Sequence, residues 1–119
     1  MKIFITGGSG FLGSHVAEHF ANAGHDVRLL LRPTSSRKFL TDFHYETAVG
    51  DVTDASSLAP AVEGADAVVH TAGLVKARNE GEFMAVNATG TANLLSAVYS
   101  AAPALKRFIC VSSLAAHGP

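Results

Sequence analysis

The stretch Thr6-Gly7-Gly8-Ser9-Gly10-Phe11-Leu12-Gly13 follows the apolar run Ile3-Phe4-Ile5 and precedes an amphipathic segment. This order predicts a β-strand, a tight glycine turn and an α-helix near the start of the chain. Gly7 and Gly10 lack side chains that would keep backbone N–H groups away from an anion, and the helix points the positive end of its dipole at the same place. Gly13 is expected to let the first helical turn pack closely on the strand. The stretch predicts a phosphate-binding turn, with a glycine-rich turn that binds nothing as the alternative interpretation.

Strand-like and helix-like segments alternate along the rest of the chain. Continuous apolar runs predict further strands, and apolar residues at helical spacing predict helices. The predicted strands are 27–31, 45–49, 67–71 and 108–112, and the predicted helices are 11–23, a segment ending at Gly64, and 81–100. Ser57 is expected to cap the helix before Gly64, which would place Pro60 in its first turn. A short helix is a further option for 37–43.

The first helix has the clearest pattern. Leu12, Val16 and Phe20 recur at helical spacing and predict its core-facing side. Gly24 is predicted to end the helix as its C-terminal cap.

The alternation of strands and helices predicts a doubly wound parallel α/β sheet, because each crossover must return over a face of the sheet. Right-handed crossovers give the strand order 3-2-1-4-5. In this order the chain reverses direction between strands 1 and 4, which opens a crevice at their carboxyl ends. The glycine turn lies at this crevice, so both arguments place a ligand there.

Composition narrows the function further. The 119 residues predict one domain, and a net charge of -1 gives no reason to expect nucleic acid or an acidic membrane surface as partner. The first strand begins at residue 2 or 3, which leaves no room for a signal peptide, and no apolar run has the length of a membrane span. The single Cys110 lies in an apolar run and is expected to be a buried thiol. A cytoplasmic protein is therefore expected.

Arg32 follows the second strand, at the position where a dinucleotide site meets the adenosine ribose. A carboxylate there would accept a hydrogen bond from a free 2′-hydroxyl, whereas a guanidinium can bind a 2′-phosphate. No acidic residue occurs in 27–41, and four of the chain's nine basic residues lie there, Arg28, Arg32, Arg37 and Lys38. Asp26 precedes the strand and would lie at the opposite end of the sheet. The charge pattern favours NADP over NAD, with a solvated basic loop as the alternative.

Asp51 lies in the turn after the third strand. Its carboxylate could accept a hydrogen bond from an adenine amino group, with the Val52 backbone as a partner. A turn or helix-capping carboxylate is the alternative.

The segment His15-Val16-Ala17-Glu18-His19 matches the H-x-x-E-H pattern of zinc peptidases. The apolar pattern of the helix directs His15 and Glu18 to solvent, and no downstream acidic helix supplies a third ligand. No metal site is predicted.

Five motifs in order resemble those of the extended short-chain dehydrogenase/reductase family, which includes NAD-dependent epimerase/dehydratase and dihydroflavonol-reductase-like enzymes. The motifs are Thr6 to Gly13 as quoted above, Gly50-Asp51-Val52-Thr53-Asp54, His70-Thr71-Ala72-Gly73, Val86-Asn87-Ala88-Thr89-Gly90-Thr91 and Val111-Ser112-Ser113. The resemblance covers essentially the whole chain and implies a Rossmann-type domain over 1–119 that binds NAD(P).

The resemblance also implies roles for individual residues. Those expected at the cofactor are Gly7, Gly10, Phe11 and Leu12 at the pyrophosphate, Arg32 at the ribose phosphate, Asp51 and Val52 at the adenine, and Ala72 and Gly73 at the nicotinamide-side ribose. Asn87 would stabilise the helix beside the active site. Ser113 would match the catalytic Ser/Thr that hydrogen-bonds the substrate oxygen, and it also ends the fifth strand on the carboxyl side. A polar residue that caps a loop is the alternative for Ser113.

The sequence departs from the family at the catalytic pair. Enzymes of this kind use a Tyr as general acid/base with a Lys four residues later. Tyr45 is followed four residues later by Val49, and Tyr99 by Pro103. The chain is therefore expected to be a cofactor-binding portion, truncated after strand 5 and without the substrate region, that is not catalytic alone. Its fifth strand would be an exposed edge that offers pairing to a second copy or to the missing portion.

Two other functions remain open at this point. A protein of the same fold could bind or sense the dinucleotide without turnover, and a folding unit could keep the scaffold without useful affinity.

Overall fold

A computed structural model describes residues 1–71 and 80–111. Strands and helices alternate along these residues, except that the second and third strands follow each other with no helix between them. In chain order the elements are β1 (Lys2–Thr6), α1 (Phe11–Asn22), β2 (Asp26–Leu31), β3 (Glu46–Val49), α2 (Ala55–Val62), β4 (Ala67–Thr71), α3 (Glu80–Ala101) and β5 (Arg107–Val111).

The five strands form one parallel sheet in the order β3-β2-β1-β4-β5, which confirms the predicted topology. Ile5 in the central strand β1 is level with Leu29 on one side and with Val69 on the other. Because all strands run the same way, the residues that follow β1, β2, β3 and β4 lie along one edge of the sheet. The glycine turn is at the middle of this edge.

Helices cover both faces of the sheet. Phe4, Leu30 and Val68 belong to a buried cluster with residues of α2 and α3. Ile5, Leu29 and their neighbours on the opposite face belong to a second cluster with Ala17 of α1. Successive strand residues point to opposite faces, so the continuously apolar central strands supply both clusters.

Helix α1 ends as predicted, and Val16 and Phe20 pack partly buried against the core, also as predicted. His25 N–H donates to Phe20 O and Gly24 N–H to Ala21 O, both at 3.1 Å, with Gly24 at φ +92°, which is a Schellman motif. The prediction that Leu12 faces the core is wrong, because this side chain is 54% exposed. The fully buried residues of α1 are small ones, namely Gly13, Ser14 and Ala17.

Two local predictions in the segments after β2 are wrong. Residues 37–43 form turns without a helix, and the Leu40 side chain is buried against the strands. Helix α2 begins at Ala55 with Asp54 as its N-cap, so Pro60 lies in the second turn. Ser57 instead stabilises the turn before the helix. The Asp51 N–H donates to its hydroxyl oxygen, and its hydroxyl donates to the Asp54 carbonyl.

Strand β5 is more exposed than its sequence predicts. Cys110 is exposed and Ile109 is 45% exposed, so the prediction of a buried thiol is wrong. Strand β5 is the outermost described strand, next to β4, and the described residues leave these two side chains uncovered on the faces of the sheet. Among the described helices, none has the length and apolar character needed to cross a membrane.

Candidate functional site: the glycine turn and its rim

Two of the glycines in the turn are required by the packing of the chain itself. Gly7 has φ +72°, a left-handed conformation, and an added Cβ would overlap the Thr71 hydroxyl. At Gly13 an added Cβ would overlap the Gly7 carbonyl group, so the first turn of α1 lies directly on the glycine turn. This agrees with the close packing predicted for Gly13.

Gly10 is different, because the described residues leave space beside it. It has ordinary extended geometry, with φ -81° and ψ 170°, and it is exposed. An added Cβ would lie 3.5 Å from Gly7 O, an ordinary van der Waals distance. Within residues 1–71 and 80–111, packing therefore does not require glycine here, and the backbone at Gly10 is exposed.

The N-terminus of α1 adjoins this space and carries no cap from a side chain. The N-cap Gly10 makes no side-chain hydrogen bond, and the first turn contains no acidic residue. The first N–H groups of a helix have no partners within the helix, and the helix dipole adds partial positive charge. Phe11 and Leu12 are exposed at 65% and 54%. The geometry therefore suits an anion held by backbone N–H groups.

A buried polar network lies beneath the turn. The His70 ring hydrogen-bonds the Thr6 hydroxyl through Nδ1 at 2.6 Å and the Thr91 hydroxyl through Nε2 at 3.0 Å. The Thr71 hydroxyl donates to Thr6 O at 2.7 Å. Burial lowers the pKa of His70 below its ordinary 6.5, because the charged imidazolium would be poorly solvated. The network links β1, β4 and α3.

The sequence did not predict this network. His70 reads as an ordinary strand residue, and its partners are distant in sequence. The available signal was a set of polar residues at the ends of apolar strands, where a buried polar group needs a partner.

Arg32 lies at the carboxyl end of the sheet, where the glycine turn also lies, as predicted. We call the residues around the turn at this end of the sheet the rim. Arg32 follows Leu31 at the carboxyl end of β2, three residues beyond the Leu29 that pairs with Ile5. Its backbone N–H donates to Ser35 Oγ at 3.0 Å, and its side chain is exposed. Asp26 lies at the opposite end of β2, as predicted, although it is the first residue of the strand rather than the residue before it.

The basic cluster predicted around Arg32 is divided by the fold. Arg28 lies four residues back along β2 and donates to the carbonyls of Ala61 and Glu63 at the end of α2, each at 2.8 Å. Arg37 donates to the Tyr45 hydroxyl at 3.0 Å. Among these four cations, Arg32 and Lys38 therefore remain for a ligand on the rim.

Asp51 and Val52 are engaged in the chain's own turn. Asp51 Oδ1 accepts from the Thr53 N–H at 3.0 Å and from its hydroxyl at 2.9 Å, the geometry of a turn carboxylate. Val52 O accepts from Asn93 Nδ2 of α3 at 2.9 Å. Both residues lie at the carboxyl edge of the sheet, beyond β3. Their predicted contact with adenine stays a prediction.

Three predicted site residues, Ala72, Gly73 and Ser113, lie outside the described residues. Asn87 is on α3 and is half-buried. His15 and His19 are exposed, and within 1–71 and 80–111 no three His, Cys, Asp or Glu residues come together as a metal would require.

The doubly wound sheet and the glycine turn at its centre define a Rossmann-type α/β domain. Residues 3–119 match the sequence profile of the NAD dependent epimerase/dehydratase family. The chain belongs to this family, as the motif resemblance predicted.

Individual relatives cover nearly all of the chain. It is 38% identical over 117 residues to the ceramide reductase of Caulobacter vibrioides, covering 98% of this chain and 36% of the relative. It is 36% identical to a 3 beta-hydroxysteroid dehydrogenase/Delta 5-->4-isomerase of Mycobacterium tuberculosis, covering 94% and 31%. The structure of Bordetella bronchiseptica WbmG in complex with NAD is 33% identical with a TM-score of 0.76, covering 92% and 36%. The chain thus spans about a third of each of these relatives.

Proposed function

We propose that this chain is the NAD(P)-binding portion of an oxidoreductase or a sugar epimerase/dehydratase, and that it prefers NADP. The observation that carries the proposal is the uncapped start of α1 beside Gly10. The chain's own packing explains Gly7 and Gly13, whereas a ligand explains why the backbone at Gly10 stays accessible. The family and the NAD complex of WbmG support a dinucleotide as that ligand.

In this proposal the diphosphate lies at the N-terminus of α1. The N–H groups of Phe11 and Leu12 point along the helix axis toward it, and the first turn of α1 has neither a capping side chain nor an acidic residue. The adenosine half extends toward the ends of β2 and β3. This places Arg32 near the ribose, and Asp51 and Val52 near the adenine.

The preference for NADP rests on charge. Arg32 is exposed at the end of β2, and Lys38 is exposed in the loop that follows. Their hydrogen bonds to described residues stay within this loop. A 2′-phosphate would gain a charge-assisted contact with a guanidinium. NAD lacks this phosphate and would therefore gain no such contact with the guanidinium.

Titration of the purified protein with NADPH and NADH tests this proposal. We expect NADPH to bind more tightly, and Arg32→Ala to weaken NADPH by roughly tenfold or more, since a hydrogen bond to a charged group contributes about 1.5–3 kcal/mol. Binding of NADH should change little. Arg107→Ala is the matched control. Arg107 is also exposed, but it begins β5 and so lies at the amino-terminal end of the strands, away from the glycine turn. Equal affinity for both cofactors, unchanged in Arg32→Ala, would remove the phosphate argument.

The complete reaction would move a hydride between the nicotinamide and an alcohol, ketone or sugar carbon. Ala72 and Gly73 would contact the nicotinamide-side ribose, and the Ser113 hydroxyl would hydrogen-bond the reacting oxygen. None of the 119 residues forms a Tyr-x-x-x-Lys pair. We therefore expect these residues to bind the cofactor without oxidising or reducing it, and NADPH consumption with a panel of carbonyl substrates measures this. Turnover by the 119 residues alone would contradict the expectation.

A further part of the proposal concerns the β5 edge, where a second copy or further polypeptide of the same protein would pair. Ile109 and Cys110 are exposed there, and an open strand edge presents unpaired backbone groups. Light scattering at high concentration should show a dimer that Ile109→Lys dissociates. Val49→Lys, an exposed site on β3 at the other edge, is the control. A monomer at every concentration would argue against pairing with a second copy.

A further inference from the structure

The loop between β2 and β3 contacts the beginning of α1 through two aromatic rings. The Phe39 ring meets the Phe11 ring edge-on, with centroids 5.9 Å apart and planes at 84°. This is a favourable arrangement for an aromatic pair. Phe11 directly follows Gly10, so the contact lies beside the space left open at the glycine turn.

The position of Phe39 is fixed by its neighbours. Leu40 is only 6% exposed and packs in the same buried cluster as Leu29 and Leu31. Its N–H donates to Arg37 O at 2.9 Å, and the Arg37 guanidinium donates to the Tyr45 hydroxyl at 3.0 Å. The loop is therefore anchored on both sides of Phe39, which directs this ring toward α1.

Lys38 is attached to the same ring. Its Nζ lies 5.0 Å from the centroid of Phe39, within the range of a cation–π interaction. Arg37, the preceding residue, faces β3 instead. The Phe39 ring therefore links the Lys38 ammonium to Phe11, at the end of α1 that adjoins the glycine turn.

We propose that Phe39 is a positioning residue for cofactor selection: its ring, fixed against Phe11, holds Lys38 on the loop that follows Arg32, toward the phosphate on the adenosine ribose at the end of β2. This inference rests on the proposed function. Arg32 would approach that phosphate from the end of β2, and Lys38 would approach it from the loop. Phe39 itself does not touch the cofactor and acts through Lys38.

Two variants of Phe39 test whether the aromatic ring matters or only the presence of a large apolar side chain. Phe39→Leu keeps an apolar side chain without a ring, and Phe39→Tyr keeps the ring. From the strength of an exposed cation–π contact, we expect Phe39→Leu to weaken NADPH binding about two- to fivefold. NADH binding should stay unchanged, and Phe39→Tyr should bind NADPH like the wild type.

A double-mutant cycle connects Phe39 with Lys38. Lys38→Ala should weaken NADPH binding in the wild type, and it should have a much smaller effect when Phe39 is already Leu, because the ammonium is then no longer held in place. Lys106→Ala is the control, since Lys106 is exposed and precedes β5, at the amino-terminal end of the strands and away from the glycine turn.

The outcomes distinguish this inference from the proposed function. If Phe39→Leu weakens NADPH and NADH equally, Phe39 is merely structural and the inference is wrong. If Arg32→Ala weakens NADPH while the Phe39 and Lys38 variants do not, the inference is wrong but the proposed function stands. If the wild type binds neither cofactor, the proposed function fails and the inference fails with it.

Discussion

Gly10→Ala and Gly13→Ala should have opposite consequences, although both add one methyl group to the same turn. At Gly13 the methyl would overlap the Gly7 carbonyl, so α1 must move away from β1. Overpacking of this kind costs about 1–3 kcal/mol. For a domain of this size the melting temperature should fall by roughly 4–12 °C.

At Gly10 the methyl would have ordinary contacts, 3.5 Å from Gly7 O. Alanine is a poorer N-cap than glycine but also lowers the entropy of the unfolded chain, so the stability should change by less than about 1 kcal/mol. In the proposed site, however, the methyl occupies space that a diphosphate needs. The loss of one charge-assisted contact would weaken cofactor binding roughly tenfold or more.

The assay combines thermal unfolding with titration of NADPH for both variants. Gly13→Ala should lose stability, and Gly10→Ala should keep stability and lose affinity. A stable Gly10→Ala protein that binds NADPH like the wild type would refute the reasoning, because the open space at Gly10 would then not be the phosphate site.

Three further predictions concern the framework of the site. Because burial lowers the pKa of His70, the unfolded state binds the proton first as the pH falls below 6.5, and the free energy of unfolding should then decrease by up to about 1.4 kcal/mol per pH unit. Urea denaturation should show this slope in the wild type and not in His70→Gln. Arg28→Ala removes two hydrogen bonds at the end of α2 and should cost about 1.5–3 kcal/mol without changing cofactor preference, unlike Arg32→Ala. Ser57→Ala should cost about 1–2 kcal/mol in the same assay, since the Asp51 N–H loses its partner.

The sequence predicted the sheet order and the glycine turn because both depend on local patterns. Apolar strands that alternate with helices permit few topologies, and glycines at Gly7, Gly10 and Gly13 mark a close backbone approach. The distinction among these glycines needed the structure. It depends on what a side chain would meet, and Thr71 lies 64 residues beyond Gly7 in the chain.

The failed predictions have physical causes. Leu12 fits the apolar spacing of α1, but the fully buried positions of the helix are the small residues around the close approach at Gly13, whereas Val16 and Phe20 are only partly buried. Cys110 has apolar neighbours in sequence, but the burial of a strand's side chains depends on what packs on the faces of the sheet, and the described residues leave Cys110 exposed. Arg28 and Arg32 look equivalent in a count of charges. The structure distinguishes them, because Arg28 donates to backbone carbonyls at the end of α2.

The pairing of β1 with β4 has a consequence for the order of assembly. The strand that carries the glycine turn completes its pairing with residues that are synthesised about 64 positions later. Long-range contacts of this kind form slowly, because a large loop must close first. A nascent chain shorter than about 71 residues has the turn sequence but lacks the Thr71 and His70 side chains beneath it. The glycine turn therefore acquires its support from beneath only after β4 has been synthesised.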